Sequence, residues 1–491
     1  MDFLAKSTSH DTKLNVLVLM SDEHNPKFLG CGGHPFIETP NLDRLAKRGT
    51  RFTQAYTCSP ICVPARASFA TGRYVHQIGF WDNADGYDGS VPSWHHALRD
   101  AGHEVASIGK LHFRGQPGDD HGFCEEIIPM HINGVGDLRG LIRERNMPVR
   151  NFGAMMAGLA GPGESTYTHY DRDIASKAQI WLAEHAAKPT DKPWVLFVSM
   201  VAPHFPLTAP PEWFYHYADM DLPMPKLYAL ESRPHHPFAD ENARVLDWDT
   251  HFHTPNDVRR AIAGYSGLVS YMDEGVGRVL GELERSGLVE NTLVIYTSDH
   301  GDNLGARGLW GKCTLHEESA GVPMIIAGPG VAQGAVLTEP VSHVDCAVTI
   351  LQAAGAPNLP DANGQSLLDL AQGAAVVRPV ISEYHAIASI SGGTMLRHGP
   401  WKYCYYVGMP PQLFNLLADP EELHDLAADP GHAQMLGECE HVLRAYLDPE
   451  AVDRKAKRRQ QELLESHGGR DAALAVQTPG YSRTPVVSRT I

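Results

Sequence analysis

Four short apolar runs, residues 15–20, 105–108, 195–200 and 293–297, constrain this chain more than any other feature. Each is too short for a helix and too uniformly apolar for a half-exposed strand. Each therefore reads as a strand buried on both faces. Helical patterns lie between them. Thr39-Pro40 supplies an N-cap and first turn, Leu42, Leu45 and Ala46 an apolar face, and Gly49 a stop. Residues 258–283 form a longer helical stretch with its charges on one side. Strands alternating with helices predict a parallel sheet with helices on both faces. From about residue 376 the texture changes. Residues 380–384, 393–397 and 401–407 alternate as short strands, with Gly399-Pro400 as a turn. The expected fold is thus α/β, with a large, mixed, mostly parallel sheet sandwiched by helices in residues 1–375. A smaller α+β subdomain follows in 376–491, with an antiparallel sheet, a polar surface helix over 453–465 and an extended tail from Gln477 that packs on this subunit or a neighbour.

Composition narrows the function. With 491 residues, 43% apolar and 20% charged, the chain has the makeup of a globular protein with a sizeable core. A net charge of −17 argues against nucleic acid or an anionic membrane surface as the main partner. An anionic substrate would have to be drawn in by local cations. The apolar run near residue 14 is too short and too late for a secretory signal, and no stretch is long enough to span a membrane. Eight cysteines scattered over the whole chain suggest reduced thiols and a cytoplasmic protein. Cys58 and Cys62 lack the second close pair that a structural zinc site needs.

In parallel α/β sheets ligands bind beyond the carboxyl ends of the strands. Those positions are unusually polar here: Ser21-Asp22-Glu23-His24, Gly109-Lys110-Leu111-His112, Val201-Ala202-Pro203-His204 and Ser298-Asp299-His300-Gly301. One such cluster is an ordinary cap or loop. Four on one edge point to a site. The densest signal is Cys62-Val63-Pro64-Ala65-Arg66, followed by Thr71-Gly72-Arg73. Pro64 and the alanines after it start a helix, which places Cys62 at an N-terminus, where a thiol is expected to be exposed and acidified. Arg66 lies one turn on. A thiol phosphatase loop is excluded, because it needs arginine six positions after the cysteine and Ser68 stands there.

The C-x-P-x-R and T-G-R elements resemble the hallmark of the sulfatase family in the alkaline-phosphatase superfamily. Further likeness lies in residues 257–330, in Pro411-Gln412-Leu413-Phe414-Asn415-Leu416 and in Asp419-Pro420-Glu421-Glu422-Leu423. Within the family the chain is similar to choline-sulfatase, arylsulfatase and phosphonate monoester hydrolase-like members. The resemblance implies an alkaline-phosphatase-like fold and hydrolysis of a small organic sulfate ester. It also implies that Cys62 is converted by a formylglycine-generating enzyme to formylglycine, whose hydrated aldehyde offers one hydroxyl to attack sulfur and another to expel sulfate.

The resemblance assigns further roles. Asp22, Asp299, His300 and modified Cys62 hold one divalent metal. Hard carboxylates suit calcium, magnesium or manganese, with calcium first, while the imidazole tilts the set toward manganese or zinc. Many sulfatases carry two aspartates where this chain has Asp22-Glu23, so Glu23 stays open as a ligand. Lys110 and His112 contact the nucleophile and the sulfate, His204 protonates the departing alcohol, Lys312 steadies the leaving oxygen, and Asn83 lies in the pocket. Asp299-His300 in place of Asp-Asn also suits a phosphonate monoester or phosphodiester. An unmodified Cys62 would leave only an anion- and metal-binding protein. Trp81, Trp310, Glu383, Tyr384 and His385 are candidates for the pocket lining. No tryptophan follows Gly122-Phe123, so an aromatic cage for choline is not evident. A homo-oligomer built through the C-terminal tail is expected from the family.

Overall fold

The structure, a computed structural model, describes residues 13–188, 191–376, 378–476 and 482–485. The N-terminal segment 1–12 and tail residues Gln477, Pro479 and Gly480 lie outside the described residues. A nine-stranded sheet organises the catalytic part, in the order Ala335–Leu337, Gly49–Tyr56, Gly321–Ala327, Thr292–Ser298, Asn15–Asp22, Val195–Pro203, Val105–Arg114, Glu125–Ile132. The ninth strand, Val341–Ser342, pairs with Gly49–Tyr56. The last five strands in that order run parallel, and Gly321–Ala327 is antiparallel to both of its neighbours. The four apolar runs are therefore central strands, as expected, and each extends beyond its run into the polar cluster.

Burial on both faces explains why these runs do not alternate. Val16, Val18 and Met20 point into a core shared with Ala67, Phe69 and Ile350 on one side. Leu17 and Leu19 point into a second core with Tyr170, Ile174, Val276 and Val279 on the other. Period-2 geometry sends successive side chains to opposite cores, so every position must be apolar. Each such side chain contributes roughly 1.5–3 kcal/mol.

The first face carries helices Cys62–Thr71 and His343–Ala354; the second carries Thr166–Ala186 and Pro255–Arg285. The short helix Pro40–Lys47 begins at Thr39, but its first N–H groups are capped from afar. Asp273 of the long helix accepts from Asn41 and Leu42 N–H at 3.0 and 2.8 Å. Arg48 closes that helix, and Gly49 already opens the next strand. Among the described residues no helix is long and apolar enough to cross a membrane.

The second sheet, Val380–Tyr384, Gly393–His398, Trp401–Tyr406 and Gln412–Asn415, is antiparallel, with Gly399-Pro400 at a hairpin as anticipated. The polar helix is longer than its sequence suggests, Pro449–Ser466, and it is not merely solvated. Val452, Asp453, Ala456, Gln460 and Leu464 are buried, with Gln460 bonded to Asp82 and Asp453 paired with Arg143.

A buried charge cluster joins the two parts. Lys402 of the antiparallel sheet, fully buried, pairs with Glu317 and Glu422 at 2.9 and 2.7 Å. Arg307 pairs with Glu318 and Glu422 at 3.0 and 3.5 Å. Removing one member strands the others in low dielectric. Lys402→Met is therefore expected to lower the unfolding free energy by about 3–5 kcal/mol, and adding Glu422→Gln to restore part of it. Urea unfolding of the three variants checks this; a single-mutant loss below about 1 kcal/mol would mean that solvent reaches the cluster.

Candidate active site

Cys62 is the first residue of a ten-residue helix whose every residue is buried. The helix end is accounted for: Pro64 has no N–H, Val63 N–H donates to Asn83 Oδ1 at 3.0 Å, and Ala65 N–H closes on Ile61 C=O at 3.1 Å. Asn83 thus braces the helix with its carbonyl and leaves its NH2 for the cavity that it lines. The other end closes on Gly72, at φ +66, where a Cβ would stand 3.1 Å from Ala347 Cβ. Arg73 bonds Pro360 and Asp361. The T-G-R element is therefore a helix stop and a surface clasp, not part of the site.

Strand ends bring the acidic groups to Cys62. Arg66, 2% exposed, bonds Asp299 Oδ2 through Nε at 2.8 Å and Asp22 Oδ2 through Nη2 at 3.0 Å. Its Nη1 donates to Lys110 C=O and Ser199 Oγ at 2.7 and 2.9 Å. Arg66 does not reach back to Cys62; it holds the outer oxygens of two carboxylates. The inner oxygens are left to converge. Asp22 Oδ1 lies 3.9 Å from both Cys62 Sγ and His300 Nε2, and Asp299 Oδ1 lies 3.6 Å from His300 Nε2. His300 Nδ1 bonds Gly301 C=O at 3.0 Å, so this nitrogen carries the proton and Nε2 presents a lone pair, 3.2 Å from Cys62 Sγ.

The donor set suits a divalent cation. Two carboxylates, a correctly oriented imidazole and residue 62 place ligand atoms within 4.8 Å of one another, all buried. Burial opposes charge on Asp22, yet the Lys110, Arg66 and Lys312 charges together hold its carboxyl well below the usual range. It is thus ready to ligate. Glu23 behaves differently. Burial pushes its carboxyl up to about 8, its Oε2 lies 3.3 Å from both Lys312 and His204, and its Oε1 is buried without a partner.

Cys62 is not the exposed, acidified thiol that its helix position suggests. It is 1% exposed, and burial followed by the nearby Asp22 charge raises its pKa against the pull of Lys312 and Lys110. Desolvation outweighs the helix N-terminus here.

The expected cations surround it. Lys312 Nζ lies 3.2 Å from Cys62 Sγ and 2.9 Å from His204 Nε2. His204 Nδ1 bonds Phe205 C=O at 2.6 Å, which makes Nε2 the acceptor from Lys312. Burial first, then the Lys312 charge, hold His204 neutral, its pKa well below the usual histidine value. Lys110 is ion-paired with Asp22. Burial first, then the Lys110 and Arg66 charges, hold His112 neutral, its pKa well below the usual histidine value, and its Nε2 is bonded to Ser482 Oγ.

Beyond these groups opens a cavity of about 520 Å³, lined by Cys62, Asn83, His112, His204 and Lys312 at its floor. Its walls are Ile132, Phe152, Phe205, Leu246, Trp248 and Ile387. The anticipated lining is elsewhere. Trp310 stacks on Phe252 at 4.3 Å, Trp81 packs edge-on to His385, Glu383 bonds His76, and Tyr384 bonds Ile387 C=O. A hydrogen-bonded triad, His121–Glu126–His131, with contacts of 2.9 and 2.7 Å, reaches the cavity through His131. Burial opposes the charge on Glu126, but the two histidines outweigh it and hold the carboxyl at about 2.

Residues 14–356 match the sulfatase family model, more than half of the chain. The chain belongs to the sulfatase family. It is a sulfuric ester hydrolase, and residues 305–447 match a second model, the C-terminal region of N-sulphoglucosamine sulphohydrolase. The sulfatase is 38% identical over 429 residues to a choline-sulfatase of Rhizobium meliloti (strain 1021), covering 85% of this chain and 83% of that one. It is 27% identical over 438 residues to arylsulfatase K of Homo sapiens, covering 84% and 78%. Its fold is similar to that of the phosphonate monoester hydrolase of Agrobacterium radiobacter, with a TM-score of 0.70 at 22% identity over 88% of this chain and 95% of that one. The alkaline-phosphatase-like α/β architecture expected of this sulfatase is the one observed.

Ser199, Asp171 and the walls Phe152 and Trp248 escaped sequence reasoning. Ser199 sits within an apolar run and looks like a neutral core residue. Asp171 accepts from Val201 and Ala202 N–H at 2.7 and 2.8 Å, shaping the turn before His204 from a helix 30 residues away. Only the alternation of Ser199 with Val198 and Met200 hinted at an inward polar position.

Proposed function

We propose that this sulfatase cleaves a small organic sulfate through a formylglycine made from Cys62, with one divalent cation held by Asp22, Asp299, His300 and residue 62. One observation carries the reading: Cys62 Sγ sits 3.2 Å from His300 Nε2 on the ligand side and 3.2 Å from Lys312 Nζ on the cavity side. A nucleophile grown on this side chain therefore lies between a cation site and the departing alcohol. The cation, calcium or manganese by donor chemistry, supplies Lewis-acid stabilisation of negative charge.

The chain's own side chains do the rest. Arg66 keeps the two carboxylates turned inward. Lys110 and Lys312 place positive charge around the sulfate in a desolvated pocket, where it acts more strongly than in water. Lys312 and His204 share one hydrogen bond on the cavity side, so the proton for the departing alkoxide is held between them. These local cations offset the overall charge of −17. Maturation by a formylglycine-generating enzyme is part of the proposal. So is a cytoplasmic location, which all eight cysteines being unpaired supports. Self-association through the tail belongs to it on family resemblance alone.

A second reading, hydrolysis of a phosphonate monoester or phosphodiester, is favoured by His300 in the donor set. Lys110 and His112 beside residue 62 speak for sulfate. Mass spectrometry of the peptide spanning Cys62, from protein of the native host, is expected to show formylglycine. The same preparation should hydrolyse an aryl sulfate with a higher kcat/KM than an aryl phosphonate. The reverse order would favour the second reading, and an unmodified cysteine with no turnover would leave a binding protein.

A further inference from the structure

The C-terminal tail returns to the cavity. Ser482 is 370 residues from His112 in sequence, yet its Oγ bonds His112 Nε2, and its backbone C=O accepts a hydrogen bond from Tyr167 Oη at 2.8 Å. The two anchors come from different elements, strand Val105–Arg114 and helix Thr166–Ala186. The next residue, Arg483, joins Ser482 in lining the cavity.

Charge in the cavity is one-sided. Both of its carboxyl groups have a cationic neighbour: Glu23 Oε2 lies 3.3 Å from Lys312 Nζ, and Asp137 Oδ1 lies 2.9 Å from Arg150 Nη2. Arg483 forms no ion pair among the described residues and is exposed. The lining also carries apolar side chains, Phe152, Phe205, Leu246, Trp248 and Ile387, beside the polar His131 and Asn133. A quaternary ammonium would meet a guanidinium that has no ion pair among the described residues, and no carboxyl group without a cationic neighbour. An apolar ring with an acidic group would meet both the wall and the free cation.

We infer that residues 482–483 form part of the substrate pocket and that Arg483 selects a sulfate ester whose alcohol half joins an apolar ring to an acidic group. The inference rests on the sulfate-ester reading. Arg483 is a specificity residue, remote from the sulfur and supplied by a tail that the catalytic domain holds in place.

The test uses the full-length, matured enzyme and three probes: phenyl sulfate, para-carboxyphenyl sulfate and choline sulfate. Wild type is expected to prefer the carboxylated aryl ester. Arg483→Ala should lower the ratio of kcat/KM for carboxyphenyl over phenyl sulfate by roughly 10-fold or more, the scale of one lost charge-assisted bond. Arg483→Glu should lower it further and raise the relative rate on choline sulfate. Ratios unchanged by both substitutions, with all three esters turned over, would overturn the inference alone. A wild-type preference for choline sulfate would do the same. No turnover of any sulfate by formylglycine-bearing enzyme would overturn the sulfate-ester reading and the inference with it.

Discussion

Replacing Cys62 with alanine leaves a folded protein that hydrolyses organic sulfates at least about 10⁴-fold more slowly. The side chain removed is small, and alanine is the best helix former, so the buried helix Cys62–Thr71 keeps its packing and its brace from Asn83. The reaction loses the side chain whose Sγ lies 3.2 Å from both His300 Nε2 and Lys312 Nζ. Lys312 and His204 remain in the cavity, so on the proposed reading affinity for the ester should survive while kcat collapses. Steady-state kinetics on an aryl sulfate, run beside thermal unfolding, checks both halves. A rate near wild type would remove Cys62 from the mechanism; an unfolded variant would mean that the thiol's packing matters more than its burial suggests.

Asp299→Asn should remove the cation and the activity together. Asp299 Oδ2 anchors Arg66 at 2.8 Å, while Oδ1 accepts from Glu23 and His300 N–H and faces the donor cluster. A carboxamide has one acceptor oxygen where the site uses two. Either its NH2 opposes the Arg66 guanidinium or it points at the cation site, and both arrangements weaken binding of a hard dication. The expected loss in kcat/KM is about 10²–10³-fold or more, the scale of one electrostatic partner at a transition state. Bound calcium and manganese measured by elemental analysis should fall in parallel, and excess cation should restore part of the rate. Full metal content would strike Asp299 from the ligand set. Arg66 retains Asp22, Ser199 and the Lys110 carbonyl, so the fold itself should persist.

Much of this site was legible in the chain because its chemistry follows strand ends. An apolar run buried on both faces announces itself without any partner, and in a parallel sheet the residue after it must emerge at one edge. Asp22, Lys110, His204 and Asp299 were found by that rule: Asp22 and Asp299 stand in the donor cluster, Lys110 is ion-paired with Asp22, and His204 lines the cavity. Cys62 was legible as a helix start because Pro64 and the alanines after it leave few alternatives. Its ionisation was misread because a helix N-terminus is a local feature, whereas desolvation depends on everything packed around it.

What no local pattern records is which distant segments meet. Arg66 turns away from Cys62 because Asp22, Ser199 and Asp299, drawn from three separate strands, present better partners than a neighbour one turn away. The cavity walls Phe152, Phe205 and Trp248 carry no periodic signature, since a loop residue is apolar for reasons visible only when another segment covers it. The tail is the extreme case. The residues from Gln477 have no helical period and read as an extended tail packing on this subunit or a neighbour; which partner it meets is set by a contact 370 residues apart in sequence, Ser482 against His112. Local hydrophobic period and turn chemistry set the strands, the helices and the edge where reactive groups emerge. Orientation, burial and charge balance at that edge arise from long-range packing, because each depends on the dielectric and partners that the assembled layers create.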